Sequence, residues 1–208
     1  MPEPTHETAL IVGAGSGLSA SLARLFAREE INVALAARDV SKLQSLATEI
    51  GAAVFGCDAT DPVQVASLFD QTTKRFGDPE IVVYNASGRT RGPLIGLDPV
   101  KVAEGIAVTA FGGFLVAQQA ARRMLPRGHG AILFTGASAS VKGYPESAPF
   151  AMGKFALRGL AQSLARERAP HGIHVAHFGI DGAIRNPGRA EPVDRPDSMR
   201  DPDAIART

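Results

Sequence analysis

Residues 8–28 read TALIVGAGSGLSASLARLFAR, and this stretch decides the fold. Ala9, Leu10, Ile11 and Val12 form an uncharged apolar run of strand-like residues. The run breaks at Gly13, Gly15 and Gly17, and apolar residues then return at helical spacing in Leu18, Leu22, Leu25 and Phe26. The pattern predicts a strand, a tight glycine turn and a helix, in that order. Glycines let a backbone approach a pyrophosphate closely, and a new helix directs its free N–H groups at the anion. The spacing is G-x-G-x-G rather than the full G-x-G-x-x-G, so an ordinary strand-to-helix turn is the competing reading.

The same alternation runs down the chain. Residues 32–36 read as a second strand, and Ser41 to Gln44 as a capping box opening a helix through Ile50. Residues 53–57 form a third strand ending at Asp58. Asp61-Pro62 and Asp98-Pro99 each place an N-cap before a first-turn proline, starting helices to about Phe76 and Met124. Between them, residues 81–84 make a fourth strand that runs into Asn85-Ala86-Ser87-Gly88. A fifth strand over 131–135, a helix over 149–168 and a sixth strand over 174–178 follow. Strands alternating with helices, each strand apolar on both faces, predict an α/β fold with a doubly wound parallel sheet. Ligands in such sheets bind beyond the carboxyl ends of the strands, so the residues just after each strand are the ones to read.

Residues 1–184 read as one domain, and 185–208 as a proline-rich loop, lid or tail of a chain cut short. Asp201-Pro202 looks like a helix start with too little chain left to complete a helix. The net charge of +1 gives no field for nucleic acid or an anionic membrane. The polar start MPEPTHET lacks the apolar centre of a signal peptide, and no uninterrupted apolar run approaches membrane-spanning length. A cytoplasmic location is the expectation. Cys57, the one cysteine, reads as a small core residue. His174 and His177 lie three apart on a strand and face opposite sides, so no metal site is expected. The arginines of 185–207 alternate with acids and read as a solvated segment.

Over about residues 8–184 the chain resembles the short-chain dehydrogenase/reductase family, which implies a Rossmann-type single domain and a nicotinamide cofactor. Gly13, Gly15, Ser16, Gly17 and Leu18 look like that family's cofactor turn, with Ser19 in place of its last glycine. Asp58 falls where the family has an aspartate near the adenine, and Asn85, Ala86 and Ser87 resemble its Asn-Asn-Ala-Gly segment. Lys154 sits where the lysine of the Tyr-x-x-x-Lys pair stands. The acid that holds the ribose hydroxyl in NAD enzymes is replaced by Ala37, with Arg38 next. A guanidinium suits a 2′-phosphate, so NADP is the expected cofactor, with NAD as the alternative through Asp39.

The same resemblance exposes losses. Phe150 occupies the tyrosine position, Ala137 the serine position and Thr109 that of the asparagine on the long helix, while Ile180-Asp181 replaces the usual Pro-Gly. Phenylalanine donates no proton, a loss of roughly 10²–10⁴-fold where nothing substitutes. Tyr144 and Asp181 are equal candidates for the missing donor, and Ser138 fills the serine role after a one-residue shift. An apolar substrate pocket is expected around Ala137, Phe150 and the segment after Ile180.

Three activities remain open. The first is hydride transfer between nicotinamide and a small carbonyl or alcohol with an altered donor. The second is a catalytically inactive dinucleotide-binding sensor or oligomer partner, and the third is reduction of an activated double bond. The resemblance also implies a homodimer or homotetramer built on helices 100–124 and 149–168. There Ala117, Ala120, Ala121, Ala161 and Ala165 either allow close helix packing or face the sheet.

Overall fold

The computed structural model describes residues 7–194 and 198–208. The polar chain start read above lies mostly outside these, as do residues 195–197 of the proline-rich segment. Six parallel strands are β1 (Thr8–Val12), β2 (Asn32–Ala37), β3 (Ala53–Gly56), β4 (Ile81–Tyr84), β5 (Gly130–Ala137) and β6 (Ile173–Ile180). They lie in the order β3-β2-β1-β4-β5-β6. The chain moves outward from β1 in one direction and then restarts at β4 on its other side, which opens a crevice between the two. In register, Val12 pairs with Tyr84, so Gly13 and Asn85 leave the sheet side by side.

Both faces are covered because both faces are apolar. Ile11, Leu35 and Val83 point to α1 (Leu18–Arg28) and α2 (Gln44–Ile50), meeting Ala20, Ala23 and Leu46. Leu10, Val82, Tyr84 and Phe134 point the other way. They pack on α3 (Pro62–Phe76), α5 (Gly112–Met124) and α6 (Ala148–Arg168) through Val65, Phe69, Val116, Ala120 and Leu157. Asp61 caps α3 by accepting from the Val63 and Gln64 N–H groups, and Asp98 caps α4 (Pro99–Ile106) by accepting from Val100.

Several expectations are corrected. The chain before α2 starts as a 3₁₀ turn, Val40–Leu43, because Asp39 and not Ser41 is its cap and accepts from the Ser41 N–H at 3.1 Å. The long helix is broken by a π-helical turn, Ala107–Phe111, between α4 and α5. Helical structure nonetheless continues from Pro99 to Arg127, and an 18-residue window reaches a mean hydropathy of 1.6, so one segment does attain spanning length and composition. Its buried face, including Val116, Ala117 and Ala120, packs in the core.

Ala117, Ala120, Ala121 and Ala161 belong to that core, so of the two readings they face the sheet. The exposed apolar residues around these helices are Phe111, Phe114, Met152 and Phe155. After β6 the chain folds back: Arg185 N–H donates to the Arg200 carbonyl at 2.9 Å, and Arg200 N–H to that of Ala183 at 2.7 Å. The helix start at Asp201 does complete one short helix, α7 (Pro202–Ala206), lying against α1. Asp201 accepts from the Asp203 N–H at 3.0 Å, which suffices to hold a single turn.

Candidate functional site

The crevice at the carboxyl ends of β1 and β4 is a cleft of about 710 Å³. Gly13, Gly15, Ser16, Arg38, Asp58, Asn85, Ala86 and Ser87 all line it. It continues through Gly15, Asn85 and Ser87 into a second space of about 340 Å³, lined also by Gly17, Leu18 and Lys154. Every residue singled out in the sequence for cofactor contact therefore borders one continuous groove.

The turn is shaped by close approach. Gly13 has a positive φ of 82°, and a Cβ there would overlap the Ala86 backbone. A Cβ on Gly15 would meet nothing, so its bare backbone faces open cleft. Among the described residues no side chain caps α1, and its first turn holds no acid, which leaves the anion-attracting end of that helix open to the groove.

Ser19, the substitute for the last glycine, is 1% exposed and braces the turn. Its hydroxyl donates to the Gly13 carbonyl at 3.3 Å and accepts from the Asn85 amide at 2.6 Å. Thr109 lies in the π-helical turn, where its hydroxyl donates to the Gly105 carbonyl at 2.8 Å and accepts from the Gly88 N–H at 3.0 Å. It thereby fixes the loop after β4. Neither the Asn85–Ser19 nor the Gly88–Thr109 bond was legible in the sequence, because each joins distant elements.

At the Arg38 end of the groove, hydrogen bonds from the Thr60 N–H and hydroxyl hold the Asp58 carboxyl below its usual range, with Arg38 adding to them. Asp39 is occupied: Ser41 donates to it twice, and Lys42 pairs with it at 3.0 Å. Arg38 forms no ion pair among the described residues. Cys57 is buried and also lines this cleft, and burial pushes its thiol up to about 11.

At the opposite end Lys154 is 3% exposed and donates to the Thr135 carbonyl at 2.7 Å. Burial pulls its ammonium down to about 8. Its Nζ lies 5.8 Å from the Phe150 ring centroid, and the Arg89 guanidinium stands over the same ring at 4.8 Å. His177 on β6 meets the Ser140 hydroxyl at 3.2 Å, and burial, then Lys154 and Arg158, lower its pKa.

Beyond Phe150 opens a third space of about 600 Å³. Ser138, Tyr144 and Asp181 all line it, with Ala137 and Phe150 forming the partition shared with the 340 Å³ space. The expected apolar lining is corrected, since Arg89, Arg91 and Glu146 also form the wall. Asn186 and Arg189, from the segment read as solvated, line the 340 Å³ space, because the fold-back at 185–200 turns them inward. The sequence reading passed over Arg89 and Arg91; their one signal was position, directly after the Asn85 to Gly88 segment.

A sheet of this order, with a glycine turn and an uncapped helix at its switch point, defines an open α/β protein shaped to hold a nucleotide across the crevice. The chain belongs to the short chain dehydrogenase family, which matches residues 7–182. It is 31% identical over 183 residues to short chain aldehyde dehydrogenase 1 of Euphorbia lathyris, covering 84% of this chain and 64% of that protein. With (+)-borneol dehydrogenase 1 of Salvia officinalis it shares 34% identity, covering 84% of this chain and 70% of the relative. It thus spans about two thirds of the length of these curated relatives. A short-chain dehydrogenase crystal structure from Rhodopseudomonas palustris superimposes with a TM-score of 0.83 at 31% identity, covering 98% of this chain and 90% of that one.

Proposed function

We propose that the protein is an NADP-dependent oxidoreductase that transfers a hydride between nicotinamide and a small carbonyl or alcohol substrate, with a proton donor other than the family's tyrosine. The observation that carries this reading is the continuous groove from Arg38 to Lys154, bordered by every residue of the cofactor pattern. The groove suits a dinucleotide in its chemistry: bare glycine backbone and an open helix end for the pyrophosphate, and Arg38, which forms no ion pair among the described residues, for a 2′-phosphate. Asp39, the group that would favour NAD, already accepts from Ser41 twice and pairs with Lys42, so it is turned towards its own turn. When bound, the nicotinamide supplies or receives the hydride.

The chain's own residues then have separable tasks. Lys154 uses one donor on Thr135 and keeps others for the ribose hydroxyls beside the nicotinamide. The Phe150 ring lies in the floor where the two spaces meet and offers no proton. Ser138, Tyr144 and Asp181 stand on the substrate side of that floor. Of the three, Tyr144 carries the phenol chemistry that Phe150 lacks, and we assign it the proton at the substrate oxygen. The exposed residues Phe111, Phe114, Met152 and Phe155 support pairing of copies through α5 and α6.

Separate calorimetric titrations of NADPH and NADH test the reading, followed by nicotinamide absorbance over a panel of ketones, aldehydes and enones. Tighter NADPH binding with carbonyl turnover is expected. Binding of neither nucleotide would overturn it, and binding without any turnover would favour the sensor.

A further inference from the structure

The 600 Å³ space beyond Phe150 holds charge that neither cofactor binding nor hydride transfer requires. Arg89 and Arg91 both line it, and Arg89 also borders the 340 Å³ space with Arg189. Loss of water lowers the Arg89 pKa, and the positive charges of Arg91 and Arg189 push it the same way. Arg89 therefore stands between two further guanidinium groups, Arg91 in the outer space and Arg189 in the inner one. Among the described residues, neither Arg89 nor Arg91 forms an ion pair, and no side-chain hydrogen bond ties them down.

Two carboxylates, Glu146 and Asp181, lie on the same wall, yet neither is paired with these arginines. Gathering like charges in a cleft costs free energy unless an anion sits between them. The fork of an arginine matches a carboxylate or a phosphate with two parallel hydrogen bonds, and a pair of forks fixes its direction.

We propose that the substrate is an anion, a carbonyl or alcohol compound bearing a carboxylate or phosphate group held between Arg89 and Arg91. This rests on the oxidoreductase reading above. Arg89 spans the two spaces while Arg91 lines only the outer one. An anionic group anchored there leaves the rest of the molecule lying across Phe150 towards Lys154, which is where hydride transfer is assigned. The stacking of Arg89 on Phe150 holds that guanidinium at the partition, so the lost tyrosine and the gained anion site are parts of one arrangement.

The test is a calorimetric titration of phenylglyoxylate, phenyl phosphate and the neutral methyl ester of phenylglyoxylate into the protein saturated with NADP⁺, where no turnover occurs. Each titration is repeated without nucleotide. At least one anion is expected to bind about tenfold more tightly than the ester and to weaken as salt rises, the tighter anion naming the group. Arg91→Gln should weaken that anion about tenfold and leave NADP⁺ affinity unchanged. Arg91 is exposed, so the substitution leaves the fold intact. Equal binding of ester and anions, binding of none of the three, or an Arg91→Gln protein with unchanged anion affinity would each overturn the proposal. Anion binding by a protein that takes no nucleotide would overturn the oxidoreductase reading instead and leave the anion site standing.

Discussion

Replacing Lys154 by methionine should make the free protein more stable and remove its grip on the cofactor. Lys154 is 3% exposed and donates a hydrogen bond to the Thr135 carbonyl at 2.7 Å. Burial lowers its pKa from 10.5 to about 8. A shift of that size means that holding the charged form in the fold at pH 7 costs about 3 kcal/mol. Methionine fills similar volume with no charge. Against the gain stands the Thr135 carbonyl, which loses a donor at about 1–2 kcal/mol. The net expectation is stabilisation of about 1–2 kcal/mol, or roughly 2–8 °C in Tm for a chain of this length.

The pH dependence has a definite sign. Between about pH 8 and 10.5 the unfolded chain still binds a proton that folded Lys154 has released, so this group adds stability as pH rises through that window. The advantage of Lys154→Met should therefore shrink from pH 7 to pH 10.5. Cys57 works in the opposite direction over alkaline pH, because its thiol is pushed up to about 11, but it does so in both proteins and cancels in the difference. Urea unfolding of the two proteins at pH 7, 9 and 10.5 measures the effect. NADPH should then stabilise the parent and not the variant. A variant less stable than its parent at pH 7, or a stability difference that does not move with pH, would refute the argument.

Arg38→Asp should weaken NADPH by about 10–100-fold, since one charge-assisted pair contributes about 1.5–3 kcal/mol, and leave NADH near its parent affinity; calorimetry reads the ratio, and an unchanged ratio removes Arg38 from cofactor choice. Tyr144→Phe should abolish carbonyl turnover with NADPH binding intact, and Phe150→Tyr in that background should restore at least part of a roughly 10²–10⁴-fold loss. Stopped assays of the single and double variants decide this, and a Tyr144→Phe enzyme with parental kcat would acquit Tyr144. Ser19→Ala removes both hydroxyl bonds of a buried brace and should cost about 1–3 kcal/mol by urea unfolding. Unaltered stability would mean that the Asn85 amide finds its partner elsewhere.

The parts of the fold that were legible in the sequence are those encoded within a few residues of chain. Asp61-Pro62 and Asp98-Pro99 carry the cap and the pre-set φ on adjacent positions, and both start helices where expected. The strands were legible because a parallel sheet buried on both faces needs unbroken apolar runs, as in Leu10, Ile11 and Val12. Local competition explains one miss: Asp39 and Ser41 both cap well, and only the folded chain shows Asp39 accepting from Ser41 twice. The π-helical turn at Ala107–Phe111 left no periodic trace, because small residues such as Ala107, Ala110, Gly112 and Gly113 mark no clear apolar face there.

The wall beyond Phe150 was the least legible part, for a physical reason. Its charge arises where the loop after β4, carrying Arg89 and Arg91, meets the segment after β6, carrying Arg189, around Phe150. In sequence the first pair looks like a short basic loop, and Arg189 like one cation in an evenly mixed tail. Alternation of charge along a chain says nothing about which side of the chain faces solvent. That choice is made by the bonds between Arg185 and Arg200 and between Arg200 and Ala183, which turn Asn186 and Arg189 towards the groove. The glycine turn bordering the groove, Gly13 to Gly17, is written in one stretch of sequence, whereas the wall beyond Phe150 is assembled from loops about a hundred residues apart. The first was therefore readable in advance, and the second only once the chain had folded.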